Sequence, residues 1–206
     1  FHPHGDGELI KSIKSAGYSP DEITDVILTH LHFDHCGGAV IREGEKLIPQ
    51  FKNARYWSNE DHWNWSLEPN PREKASFLKE NILPLQESGQ LNFLNDNSFA
   101  DYGISFDHVF GHTEAMTIPY IDYKGKTIVF AADLMPSSFH IPMPYVMSYD
   151  LRPLSTLDER AKLYEKVLEK DALIFFEHDP INELGSLKKN DKGRVVLDQL
   201  VKIKDL

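Results

Sequence analysis

Apolar positions along this chain change period partway, from a mixture of helical and strand-like spacing to mostly strands, and back to helix near the end. Residues 7–16 place Leu9, Ile10 and Ile13 on one helical face, and Gly17 stops that helix. Ser19-Pro20-Asp21-Glu22 has the pattern of a capping box with proline at the first helical position, which predicts one brief turn. The apolar run Val26-Ile27-Leu28 predicts a buried strand over residues 25–29. Residues 39–57 read as a hairpin-like excursion around Glu43-Gly44 that ends in Ala54-Arg55-Tyr56-Trp57. Helices are expected over 59–67 and 71–87; the second carries Ala75, Phe77, Leu78 and Ile82 at helical spacing, and Pro84 should bend or end it.

The following pattern is strand-like. Segments 91–94, 104–110, 116–122 and 126–132 read as strands, with Tyr123-Lys124-Gly125-Lys126 as a hairpin turn. Residues 156–170 form the clearest helix: Leu157, Ala161, Tyr164 and Leu168 share a face, Asp158 and Glu159 lie in the first turn, and Lys170 is near the end. A strand over 172–177 follows, then a mixed segment, 193–203, that fits an edge strand or a helix. Strands interleaved with helices predict an α/β fold packed in layers, and the length suits one domain spanning residues 1–206.

Candidate chemistry is concentrated where these strands end. His30-Leu31-His32-Phe33-Asp34-His35 brings three imidazoles and a carboxylate into six residues, directly after the strand over 25–29. Imidazole and carboxylate together suit zinc and other first-row divalent ions. Neighbours two apart on a helix point to different faces, so an irregular loop is expected here. Three later strand-like runs each end just before a candidate ligand: His112 after 104–110, Asp133 after 126–132, and His178 after 172–176. Thr29, Thr113 and Glu177 lie beside these residues and could orient the ligands. His62 on a helix and His108 in mid-strand read as ordinary structural histidines.

Charge and composition narrow the partners. A formal charge of −10 argues against binding a phosphate backbone, and no apolar stretch approaches the length of a membrane span. Cys36 is the one cysteine, so no intrachain disulfide forms within this sequence, and a reducing, cytoplasmic setting fits. Next to His35 it reads as a small buried residue rather than a ligand or nucleophile. His2 and His4 resemble a metal tract but read as part of a loose terminus. Asp133 leads into a proline- and aromatic-rich loop, in which His140 is a candidate donor to a substrate oxygen or general acid. The aromatic residues Phe33, Trp57, Trp63, Trp65, Phe139 and Tyr145 could line an apolar pocket, with core packing the commoner fate of such residues.

His30-x-His32-x-Asp34-His35 with Gly37-Gly38, then Gly111-His112-Thr113, Ala132-Asp133 and Glu177-His178-Asp179, resembles the metallo-β-lactamase superfamily from about residue 8 to the end. The resemblance implies an αβ/βα four-layer sandwich that holds two divalent ions, zinc above all, with iron or manganese as alternatives. It assigns His30, His32 and His112 to one ion and Asp34, His35 and His178 to the other. Asp133 would bridge them, with a hydroxide between the ions as nucleophile. Asp34, Asp133 and His140 are the residues given a catalytic part. The implied activity is hydrolysis of a small ester-like molecule, best matched by a lactone. An iron persulfide-dioxygenase type and an organophosphate or phosphodiester hydrolase are the alternatives, and a homodimer is compatible with all three. An aspartate at position 133 disfavours the β-lactamases that carry cysteine there, and Pro136 stands where many lactonases have tyrosine. Family members usually place several strands ahead of the histidine-rich segment, so this sequence is expected to lack the opening strands and expose a sheet edge.

Overall fold

The computed structural model describes residues 8–206, so His2 and His4 lie outside the described residues. Two compact units divide the chain, one running to Leu94 and the other from Asn95 to Leu206.

The first unit opens with α1 (Glu8–Ser15), whose Ile10 and Ile13 pack on the unit's core and which ends before Gly17 at φ 92°. Ser19 caps the next turn through the expected capping box. Strand β1 (Asp25–Ile27) leads to a one-turn helix, α2 (Phe33–Cys36). The hairpin β2 (Val40–Glu43) and β3 (Lys46–Pro49) follows, then β4 (Arg55–Ser58) and α3 (Glu60–Leu67). Helix α4 (Lys79–Glu87) and β5 (Leu91–Phe93) complete the unit. Strands β1, β4 and β5 form a parallel sheet in that order. Its core gathers Leu31, Tyr56, Trp63, Ile82 and Leu85, all at most 2% exposed. Complete burial of a large apolar side chain contributes about 1.5–3 kcal/mol.

Two expectations are corrected in this unit. The helix expected over 71–87 begins only at Lys79, because the Asn70 side chain accepts the backbone N–H groups of Arg72 and Glu73 and folds that stretch into turns. Pro84 lies inside α4, which continues to Glu87 although proline supplies no N–H.

In the second unit, β6 (Ile104–Val109), β7 (Met116–Tyr123) and β8 (Lys126–Phe130) form an antiparallel meander. Lys124 and Gly125, at φ 50° and 78°, make its β7–β8 turn. Helix α5 (Pro153–Lys170) crosses to β9 (Leu173–Phe175), which lies parallel to β8. The crossover needs a long connection, which this helix supplies. Strands β10 (Leu184–Lys189) and β11 (Val195–Val201) extend the sheet to the order β11-β10-β9-β8-β7-β6. The segment ending the chain is therefore an edge strand, and β10 is a strand the sequence pattern did not indicate. Helix α5 starts three residues before the expected position, with Pro153 at its first turn, so Asp158 and Glu159 lie further along it. Its Leu163, Tyr164 and Val167 pack with Met116, Val129 and Ile174 in the unit's main core.

Candidate metal centre

In the first unit the candidate ligands straddle the exit of β1 and the start of α2. His30 and His32 are extended or loop residues, whereas Asp34 and His35 ride on α2. The expected irregular loop is thus half loop and half helical turn, and the turn re-aims Asp34 and His35. The ring centroids of His30 and His35 are 3.9 Å apart, and those of His30 and His32 are 4.7 Å apart. Asp34 Oδ1 lies 3.7 Å from His35 Nε2.

Their outward-facing nitrogens are set by neighbours. His30 Nδ1 lies 3.2 Å from Thr29 Oγ1. His32 Nε2 lies 3.3 Å from Oε1 of the buried Glu73. Glu73 is itself held by Trp65 Nε1 at 2.8 Å and Asn70 Nδ2 at 2.6 Å. A hydrogen bond at one ring nitrogen would direct an ion to the other, which for these rings is Nε2 of His30 and Nδ1 of His32. Between these residues, the Leu31 N–H donates to Nε2 of His62 at 2.8 Å. His62 is fully buried on α3 and holds the backbone between His30 and His32. Neither Glu73 nor His62 carried a signal in the sequence; each became visible only when chain segments 31–41 residues apart met.

The second unit brings together His112, Asp133 and His178. β6 ends at Val109, two residues before Gly111, so His112 lies on the loop between β6 and β7. Asp133 follows β8 within a short 3₁₀ turn, where Ala132 takes the left-handed value φ 44°. That conformation is strained for a residue with a Cβ, and such strain is found where a side chain must be aimed. His178 follows β9, and its backbone N–H donates to Pro136 O at 2.9 Å. Asp133 Oδ2 lies 3.0 Å from His112 Nε2, while Asp133 Oδ1 lies 3.3 Å from His178 Nε2. One carboxylate thus faces two imidazoles with different oxygens. On its far side, His112 Nδ1 lies 3.0 Å from Oδ1 of buried Asp150. Burial alone would lower the pKa of His112, but Asp133 and Asp150 raise it to about 9.

His140 is half-buried, with Nδ1 2.8 Å from Ser137 Oγ. Burial, followed by the charge of Arg160, lowers its pKa. Arg160 is itself fully buried, and its guanidinium donates to the carbonyls of His140 and Tyr145 as well as to Pro142 O at 3.2 Å. Asp179 Oδ2 accepts from Ser138 N at 3.1 Å and Ser138 Oγ at 2.6 Å, tying the loop after Asp133 to the loop of His178. Among the aromatic candidates Trp63 belongs to the core, whereas Phe139 and Tyr145 are exposed. His108, on β6, lies 3.3 Å from Thr117 Oγ1.

The donor set of imidazoles and carboxylates fits divalent ions of the zinc type. Cys36 does not join it: the thiol is buried, donates to Leu31 O at 3.3 Å, and is pushed up to about 12 by burial and then by Asp34.

The curated relatives include an N-acyl homoserine lactonase from a Bacillus species, 25% identical over 182 residues, covering 86% of this chain and 64% of the relative. The chain therefore spans a little under two thirds of that relative's length. A second, from Bacillus cereus, is 24% identical with the same coverage. Among solved structures, a probable metal-dependent hydrolase from Staphylococcus aureus aligns at TM-score 0.82 and 25% identity, over 98% of this chain and 70% of that one. AidC, described as a dizinc quorum-quenching lactonase, aligns at TM-score 0.82 and 23% identity, over 98% of this chain and 73% of its own. These alignments give the metallo-β-lactamase fold, with the mixed α/β content expected. A family model described as "Metallo-beta-lactamase superfamily" matches residues 2–178, a span running from before His30 through His178, and the chain belongs to that superfamily.

Proposed function

We propose that this protein is a dinuclear metal-dependent hydrolase acting on a small ester-like substrate, with a lactone as the preferred class. The observation that carries this reading is the position of Asp133, whose two oxygens face His112 and His178 separately at 3.0 and 3.3 Å. A carboxylate in that position suits a bridge between two ions better than a simple ion pair. In this reading His30, His32 and His112 hold one ion, Asp34, His35 and His178 the other, and Asp133 both. Thr29, Glu73 and Asp150 keep the rings of His30, His32 and His112 turned inward. The family match crosses the junction at residues 94 and 95, which supports one functional domain over the whole chain.

Bound there, two divalent ions would supply Lewis acidity and lower the pKa of water from about 15.7 towards about 7. The chain's own residues supply the rest. His140, neutral near pH 7 because its pKa is lowered, would offer an imidazole N–H to a substrate oxygen rather than a full positive charge. The exposed Phe139 and Tyr145, in the loop after Asp133, offer apolar surface to the remainder of the substrate. The lactonases among the relatives and the dizinc description of AidC support both zinc and a lactone.

Elemental measurement on protein purified without chelator tests the metal reading. About two zinc ions per chain are expected, and Asp133→Ala should lose at least one of them. A reproducible single iron would transfer the assignment to an oxidoreductase, and full occupancy in the variant would refute the bridging role. Hydrolysis of N-acyl lactones by the loaded protein tests the substrate class; its absence in a two-zinc protein would discard the lactone and keep the metal centre.

A further inference from the structure

We propose that Glu159, on helix α5, is the positioning residue that holds the His112 loop in place for metal binding. The inference rests on the reading of His112 as a ligand. One oxygen of Glu159 accepts the backbone N–H of Phe110 at 2.7 Å, and the other accepts that of Gly111 at 3.0 Å. Neither bond belongs to the helix or the sheet; both reach from α5 to the two residues preceding His112. The carbonyls of the same segment are held from the start of α5. Arg152 Nη1 donates to Phe110 O at 2.6 Å, the Arg152 N–H to Gly111 O at 2.8 Å, and the Leu151 N–H to His112 O at 3.2 Å.

Arg152, Thr156 and Glu159 are spaced four and three residues apart, so they share one face of the helix. Gly111 lies directly on that face. A Cβ added to it would stand 2.5 Å from the Thr156 backbone nitrogen and 2.3 Å from Thr156 Oγ1, so this close approach is open only to glycine. The result is a short segment gripped on its donors by Glu159, on its acceptors by Arg152 and Leu151, and on its flank by Thr156. It ends at an imidazole whose Nδ1 is fixed by Asp150.

Loops after strands are ordinarily the more mobile parts of a domain. A ligand on such a loop binds weakly unless its backbone is held to within about 0.5 Å. A carboxylate is suited to this task because its two oxygens accept from two successive N–H groups at once. A glutamine at the same place offers one oxygen and can satisfy only one of them.

The test compares Glu159→Ala and Glu159→Gln with the native protein for zinc affinity, by competition with a chromophoric chelator, and for melting temperature of the metal-free form. Loss of an orienting partner typically costs about 10–100-fold in metal affinity, so Glu159→Ala should weaken one of the two ions by about ten-fold or more. The metal-free melting temperature should change little, and Glu159→Gln should recover part of the affinity. Amide exchange at Phe110 and Gly111 should accelerate in the alanine variant. Unchanged affinity in Glu159→Ala would overturn the proposal. So would losses of affinity and melting temperature that run in parallel and that glutamine does not relieve. Native protein that takes up no zinc would overturn the metal reading itself, and this role for Glu159 with it.

Discussion

His140 occupies a position where burial and a nearby guanidinium both act on one imidazole, so its behaviour with pH can be worked out. Its folded pKa is lowered, first by burial and then by Arg160. The unfolded chain, with an ordinary value of about 6.5, therefore binds a proton more readily than the folded one. Stability from this group is complete above the unfolded value and falls as pH drops below it, levelling off beneath the folded pKa. Replacing His140 with Gln should shrink the loss of stability that sets in as pH falls below about 6.5, measured by denaturant unfolding. Equal losses in both proteins would show that other groups dominate this range. At the same scale, His62 and Glu73 show why single residues mislead when read alone. A histidine on an amphipathic helix and a glutamate in a polar stretch have many ordinary uses. Their roles arise from what lies opposite: the Leu31 N–H for one and the His32 ring for the other.

Strand β10 is the element that sequence pattern missed, and its composition explains why. Gly185, Ser186, Lys188 and Lys189 interrupt the apolar positions Leu184 and Leu187, so local propensity reads as loop. It is a strand because β9 and β11 flank it on both sides, with a register irregularity between Gly185 and Leu187. A Cβ at Gly185 would come within 2.7 Å of Leu197 Cδ1 and 2.9 Å of the Phe176 ring. Gly185→Val should therefore overpack this edge and destabilise the protein by about 1–3 kcal/mol, as read by chemical denaturation; a neutral result would mean that β10 and β11 shift freely apart. The opposite error occurs over residues 71–78, where helical spacing is present but the Asn70 side chain captures two backbone N–H groups and turns the chain aside. Local side-chain competition for the backbone is invisible to periodicity.

For the molecule as a whole, the formal charge of −10 includes the proposed ligand and orienting carboxylates Asp34, Glu73, Asp133 and Asp150, beside His35, His32 and His112. Divalent ions would neutralise part of this charge. A ligand that binds only the folded state at about 100 times its dissociation constant adds about 2.7 kcal/mol. For a chain of this size that corresponds to about 5–10 °C in melting temperature. Chelation should lower the melting temperature by this order and zinc should restore it. No effect of chelator on zinc-loaded protein would argue that the ions sit on the surface and contribute nothing to the fold. Among the described residues no helix is long and apolar enough to cross a membrane.

The order of strands and helices and the identities of the strand-exit donors are legible in the sequence, because both depend on short-range pattern. Val26-Ile27-Leu28 reads as a strand, and Val26 and Ile27 lie half-buried in β1 with Leu28 buried directly after it. The imidazole-rich run from His30 to His35 reads as candidate metal donors on residue type alone. The edge strand at residues 195–201 stayed undecided on that basis, since Val195, Val196, Leu200 and Val201 satisfy either period; pairing with β10 decided it. What surrounds the donors was likewise settled only in three dimensions. Asp150 meets His112 across 38 residues, Glu73 meets His32 across 41, and Glu159 reaches Phe110 across 49. These partners are chosen by packing, since a buried carboxylate is stable only where the fold delivers donors to it, and no local periodicity encodes which donors those will be.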